Sequence, residues 1–143
     1  MTNLNSAQHA LESRNDMNPQ HTESAWVFDP RIERAQYVQR LLERYRRTPN
    51  VVGVIRRADR RLAMDLYRRS TPLGLVEAAF ALAAVRRLFR VPPLLTPIRS
   101  LHYFLPVLAE LAEDPPDPEY IRCLEWKLRN KELYLRWLAI PSR

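Results

Sequence analysis

Four proline pairs punctuate the chain: Asp29-Pro30, Thr71-Pro72, Thr96-Pro97 and Asp117-Pro118. In each, an oxygen-bearing side chain can accept from free backbone N–H groups. The proline that follows suits the first helical position, where its missing N–H costs nothing. The pairs therefore predict four helix starts. Apolar residues recur every three to four positions between them, which constrains the chain to an all-α fold.

The first helix is predicted over Pro30–Arg47, with Ile32, Ala35, Val38, Leu42 and Tyr45 on one face. Thr48-Pro49-Asn50 ends it. Val51 to Ile55 is the one β-like run. No partner strand is visible for it, so it reads as an extended linker. The second helix is predicted over Ile55–Arg69, with Ile55, Ala58, Leu62 and Leu66 as its stripe. The third, Pro72–Phe89, is apolar almost all round and should sit centrally. The fourth, Pro97–Glu113, contains Pro106, which should kink it near His102 or Tyr103. The fifth, Pro118–Ala139, carries Ile121, Leu124, Leu128, Leu135 and Leu138 as its seam, flanked by Trp126, Tyr134 and Trp137. The expected architecture is a compact bundle of about five helices. The expected organisation is a flexible, disordered N-terminal tail over 1–25, polar and without period, and a single helical domain over 26–143. Trp26-Val27-Phe28 reads as the packing anchor between them.

Several function classes are excluded at this level. Two glycines cannot furnish a dinucleotide fingerprint or a phosphate-cradling loop, both of which need several. One cysteine, Cys123, rules out an internal disulfide and reads as a small buried hydrophobe. Of the three histidines, two lie in the expected tail, and His102 reads as half-buried against the fourth helix's core. Metal-ligand spacings are absent, and the carboxylates around residues 110–125 fit a helix N-terminus, where the dipole favours them. The expectation is therefore a protein that is not an enzyme and uses no cofactor and no metal. The longest nearly apolar run, Leu73 to Val85, is too short for a membrane span, which needs about 20 residues. With no basic-then-apolar leader, the expected location is the cytoplasm of a bacterial-type cell.

Charge is the remaining signal. The net charge of +7 is concentrated in residues 31–99, where 16 arginines meet five acids, a net of +11. A GC-rich genome would account for arginine over lysine. It does not account for the excess, which is a statement about partners. Arginines come in pairs at Arg46-Arg47, Arg56-Arg57, Arg60-Arg61, Arg68-Arg69 and Arg86-Arg87, with Arg90 and Arg99 beyond. In the second helix Arg57, Arg61 and Arg68 share one sector, opposite Leu62 and Leu66. One account is a solvated face with pairs such as Arg61–Asp65 and Asp65–Arg69. The other is contact with nucleic-acid phosphates, for which guanidinium forks are suited. The expected nucleic-acid-binding residues are Arg56, Arg57, Arg60, Arg61, Arg68, Arg69, Arg86, Arg87 and Arg90. Tyr37, Tyr45 and Tyr67 could stack on bases or sit at the core edge. A helix-turn-helix is rejected, because the third helix offers Ala, Leu and Val where base-reading needs polar side chains.

The stretch from Arg56 to Leu111 reads RRADRRLAMDLYRR, PLGLVEAAFALAAVRR and PIRSLHYFLPVLAEL. It is similar to DnaD-like helical modules of bacterial plasmid, phage and mobile-element replication-initiation proteins. Those modules follow an Ala-rich helix with a helix carrying Tyr-Ile and a later Leu or Trp. Tyr120-Ile121, Leu124 and Leu128 match this second element, as do Tyr103 and Leu108, whereas Trp126 falls at a different spacing. The resemblance implies DNA binding and primosome-type protein contacts, and carries no individual functional residue across. The expectation is thus a nucleic-acid-binding accessory protein contacting phosphate backbone, DNA before RNA. The alternative is a protein–protein adaptor or assembly subunit working through the exposed aromatics of the last helix. A weaker alternative is attachment to an anionic membrane surface.

Overall fold

The computed structural model describes residues 26–131. Among these described residues it is a bundle of five helices: α1 (Arg34–Arg47), α2 (Arg57–Arg68), α3 (Leu73–Leu88), α4 (Leu105–Glu113) and α5 (Pro118–Arg129). The expected tail over 1–25 and the expected continuation of the last helix to Ala139 lie outside the described residues. α3 is buried nearly all round and packs against α1, α4 and α5, while α1 packs against α2. A helix surrounded on every side needs no polar face, which explains the Leu-Ala-Val run. Tyr45, Phe80 and Phe104 meet at the centre, at 4.8–6.2 Å between ring centroids, Phe104 edge to face with both other rings and Tyr45 tilted on Phe80. Each buried ring of this kind contributes about 2–3 kcal/mol. Burial, with the Asp59 charge adding to it, pushes the Tyr45 hydroxyl up to about 12.

Only one of the four proline pairs starts a helix as its chemistry predicts. The Asp117 carboxylate accepts from the Glu119 N–H at 2.9 Å, and Pro118 opens α5. Asp29 instead accepts from the Arg31 N–H and side chain, closing a separate turn, so α1 begins at Arg34 and not at Pro30. Pro72 is itself the N-cap of α3, and the Thr71 carbonyl accepts from the Tyr37 hydroxyl at 2.8 Å. Thr96-Pro97 opens no helix. Its neighbour Ile98 is held in a parallel bridge to Val51: Val52 N–H donates to the Ile98 carbonyl and Ile98 N–H to the Asn50 carbonyl. The run at Val51 is therefore extended, as expected, and has the partner that was not visible in the sequence.

The fourth helix is likewise divided. Ser100 caps a short 3₁₀ turn, Leu101–Phe104, by accepting from the His102 N–H, and this turn runs into α4. Pro106 falls in the first turn of α4, where its missing N–H costs nothing, so it kinks no helix interior.

The helix ends use residues other than glycine. After α1, Val51 N–H donates to the Thr48 carbonyl across Pro49-Asn50, and Asn50 has φ 69°. This is a turn with proline at its second position and a positive φ at its third. After α2, Thr71 N–H donates to the Leu66 carbonyl and Ser70 N–H to the Tyr67 carbonyl, with Ser70 at φ 56°. Those paired bonds form a Schellman closure, with serine where glycine is usual. At the N-terminal side, Trp26 Nε1–H donates to the Pro116 carbonyl at 2.8 Å, and Phe28 packs on Tyr37 and Tyr67. The Trp26–Phe28 anchor is thus built into the bundle.

Asp59 is the polar group at the middle of this fold. It is 1% exposed. One carboxylate oxygen accepts from the Arg56 N–H at the start of α2, and the other from the Leu101 N–H, both at 2.9 Å. The first bond satisfies an orphan helix amide, and the second fastens the 3₁₀ turn onto α2. Asp59→Asn keeps one acceptor and turns an NH₂ group toward a second donor. It is expected to lower unfolding free energy by about 2 kcal/mol in urea denaturation. A loss under about 0.5 kcal/mol, the scale of an ordinary surface substitution, would show that the clamp carries little.

Candidate nucleic-acid interface

α2 buries Asp59, Leu62, Ala63 and Leu66 on one face. The helical period then turns Arg57, Arg61 and Arg68 to the opposite face, with Arg60 on the flank toward α1. Arg56, Arg57, Arg60, Arg61, Arg68 and Arg69 are all exposed. Of these only Arg68 has an ion pair among the described residues, with Asp65 at 3.6 Å. The expected Arg61–Asp65 and Asp65–Arg69 pairs are not formed. Asp59 faces inward, so one of the two acids in this helix is unavailable to its arginines.

The three arginines near the end of α3 form a separate group. They surround a hollow of about 340 Å³ with Tyr103, Pro106 and Val107, which no arginine of α2 lines. Arg86 makes a bidentate pair with Glu110, at 2.8 and 2.5 Å. Hydrogen bonding from Arg86 lowers the Glu110 carboxyl below the usual range. Arg90 is exposed and has no ion pair among the described residues. Arg87 departs from expectation: it is only 6% exposed. Its guanidinium donates to the Tyr103 hydroxyl at 2.8 Å and to the Thr96 carbonyl, and lies over the Tyr103 ring. Its carbonyl accepts from Leu94 N–H. Arg87 therefore holds the loop after α3 in place, with its guanidinium committed to protein partners.

Other residues are also placed differently from their sequence reading. Tyr37 and Tyr45 are each 1% exposed, which removes them as stacking platforms, and Tyr67 packs on Phe28 and Tyr37. His102 is exposed, its ring beside the Ser100 hydroxyl, and Cys123 is exposed. Sequence reasoning passed over Arg34 of α1 and noted Arg46 only as one of the Arg46-Arg47 pair, not as a binding residue; both reach the same flank as Arg60. The four-residue spacing of Arg34, Val38, Leu42 and Arg46 was the available signal. Which helix that flank would meet is a tertiary fact.

The far side of α1 is electrostatically different. Arg40 pairs with Glu77 at 3.6 Å, and Arg44 bridges Glu77 and Glu125 at 3.9 and 3.6 Å, linking α1, α3 and α5. These arginines are spent within the fold. Among the described residues, no group of three His, Cys, Asp or Glu is placed to hold a metal ion, and no helix is long and apolar enough to cross a membrane. Comparison with known proteins found no match: no family model, no curated protein and no solved structure matches the chain.

Burial raises the Glu77 carboxyl; Arg40 and Arg44 oppose the shift, and Glu125 adds to it. A carboxyl raised in the folded state holds its proton above the unfolded value of 4.5, so its effect on stability worsens as pH climbs through that window. Glu77→Gln lacks this effect. Relative to the parent chain, the variant is expected to gain stability between about pH 4 and pH 7, read by urea denaturation at both. A variant that loses ground over that interval would mean that the two arginines outweigh burial.

Proposed function

We propose that this chain is a non-enzymatic nucleic-acid-binding accessory protein that holds phosphate backbone along the outer face of α2. One observation carries the reading: five exposed arginines on or beside one short helix, Arg56, Arg57, Arg60, Arg61 and Arg69, have no ion pair among the described residues. Repulsion between them is a standing cost that the fold does not relieve. Phosphates relieve it, and each guanidinium that displaces a condensed counterion adds to affinity. Arg68 extends this face, while Arg90, exposed and without an ion pair among the described residues, adds positive charge from the separate group at the end of α3, where Arg86 is paired with Glu110. α3, the helix that follows α2, is buried nearly all round and offers no polar side chains to a duplex groove, so contact is with backbone and not with base edges there. The similarity to DnaD-like modules adds replication of plasmids, phages or other mobile elements in a bacterial cytoplasm as the setting of this reading, with DNA as the ligand.

In this reading, log affinity falls linearly with log salt. Joint reversal of Arg57→Glu and Arg61→Glu weakens binding at least about tenfold on every sequence alike, and flattens the salt slope by about two. Fluorescence anisotropy titrations at several salt concentrations measure both. Salt-independent binding, or none at low salt, sinks the proposal.

A second reading has its own observation. Trp126 on α5 is 46% exposed, an unusual position for the largest apolar side chain. It suits a protein-interaction adaptor; Tyr134 and Trp137, expected to act with it, lie outside the described residues. An oligomer or complex that dissociates on Trp126→Ala in light scattering would favour this reading over the first.

A further inference from the structure

α1 and α2 leave an open groove of about 380 Å³ between them, immediately beside the arginine strip. We propose that this groove receives an unpaired base, and that the nucleic acid held on α2 is single-stranded. The inference rests on the reading of α2 as a phosphate-holding face, and it names the form of the strand.

The groove has three kinds of surface. Its floor is apolar, built by Val38 and Leu42 of α1, Met64 of α2 and Ile55 just before it. Its rim carries Arg34, Arg46 and Arg60. Neither Arg34 nor Arg60 has an ion pair among the described residues, and Arg46 has only a 4.0 Å approach to Glu43. One wall carries Gln39 and Glu43, a single turn apart on α1. An apolar floor below a cationic rim is complementary to a nucleotide, which joins a flat, weakly polar ring to a phosphate. The ring covers the floor, the guanidinium planes can lie against its face, and the flanking phosphates meet the rim. Gln39 offers both donor and acceptor to a base edge, and Glu43 an acceptor suited to an exocyclic amine. Four arginines line or adjoin the wall around this one acid, since Arg47 also donates to it at 3.4 Å, so the site stays positive overall.

The shape decides between strand forms. A duplex presents its charged backbone outward and keeps its bases stacked inside, so reading it requires a protein element that protrudes into a groove. Here the apolar surface is recessed. A recess can take only something that projects from the ligand, and in a single strand the bases are free to turn outward. Arg57, Arg61 and Arg68 run alongside the groove for about 16 Å of helix, giving the backbone a track parallel to it. A duplex could touch that track but would leave the groove empty.

The test uses the full chain and three labelled probes of about 16 nucleotides: a mixed-sequence single strand, its duplex, and the same single strand made abasic over its central segment. The intact single strand is expected to bind about tenfold more tightly than either of the others. Met64→Gln, which keeps charge and size but makes the floor polar, is expected to weaken single-strand binding several-fold and to leave duplex binding unchanged. A thermal melt confirms that the variant is folded. Equal or tighter duplex binding, indifference to abasic sites, or an unaltered Met64→Gln affinity each overturns the base-receiving groove while leaving the phosphate-holding face standing. Failure of all three probes at low salt overturns both.

Discussion

A single buried carboxylate determines much of what this fold can present to a partner. Asp59 sits at the start of an arginine-rich helix, and its oxygens are both committed to backbone amides, those of Arg56 and Leu101. A buried anion near a helix N-terminus is favoured by the dipole and needs hydrogen bonds to offset its desolvation. Asp59 has both. The consequence reaches the surface: an acid that could have neutralised its neighbours faces the core instead. The bond that anchors α2 and the charge that α2 displays are two results of the same side-chain orientation.

The arginines of the central segment divide by environment, although composition treats them as one class. Arg44 ties three helices together through Glu77 and Glu125. Arg87 is a core residue whose guanidinium takes the place of backbone hydrogen bonds in a loop. Arg86 is half committed to Glu110. What remains unpaired is concentrated on α2 and the facing flank of α1. The functional proposal therefore rests on a subset that only tertiary structure identifies, and not on the isoelectric point.

The apolar periods made the helices and the central place of α3 legible, because a 3.6-residue stripe has few other uses. Asp117-Pro118 was legible because nothing else competes for the Asp117 side chain. Thr96-Pro97 misled because the Thr96 carbonyl is claimed by Arg87, and the Ile98 N–H and carbonyl by Asn50 and Val52. Asp29 misled because Arg31, two residues on, satisfies its carboxylate first. Arg87 was misplaced because a charged residue reads as surface unless a partner is known, and its partners, the Thr96 carbonyl and the Tyr103 hydroxyl, lie beyond the end of its own helix. The α2 arginine face was legible from period alone, whereas the groove beside it needed the packing of α1.

The pairing of Asn50 and Val52 with Ile98, together with the bond from Leu101 to Asp59 across 42 positions, closes α2 and α3 inside a chain loop fastened at its base. Helical bundles usually fold quickly because their contacts are local. This one also joins backbone groups 42 positions apart, and the entropy of that closure opposes the contacts it makes. The arginine face is thereby tied to the chain beyond α3: the Leu101 N–H that returns to Asp59 fastens the same turn of α2 from which the arginines fan outward.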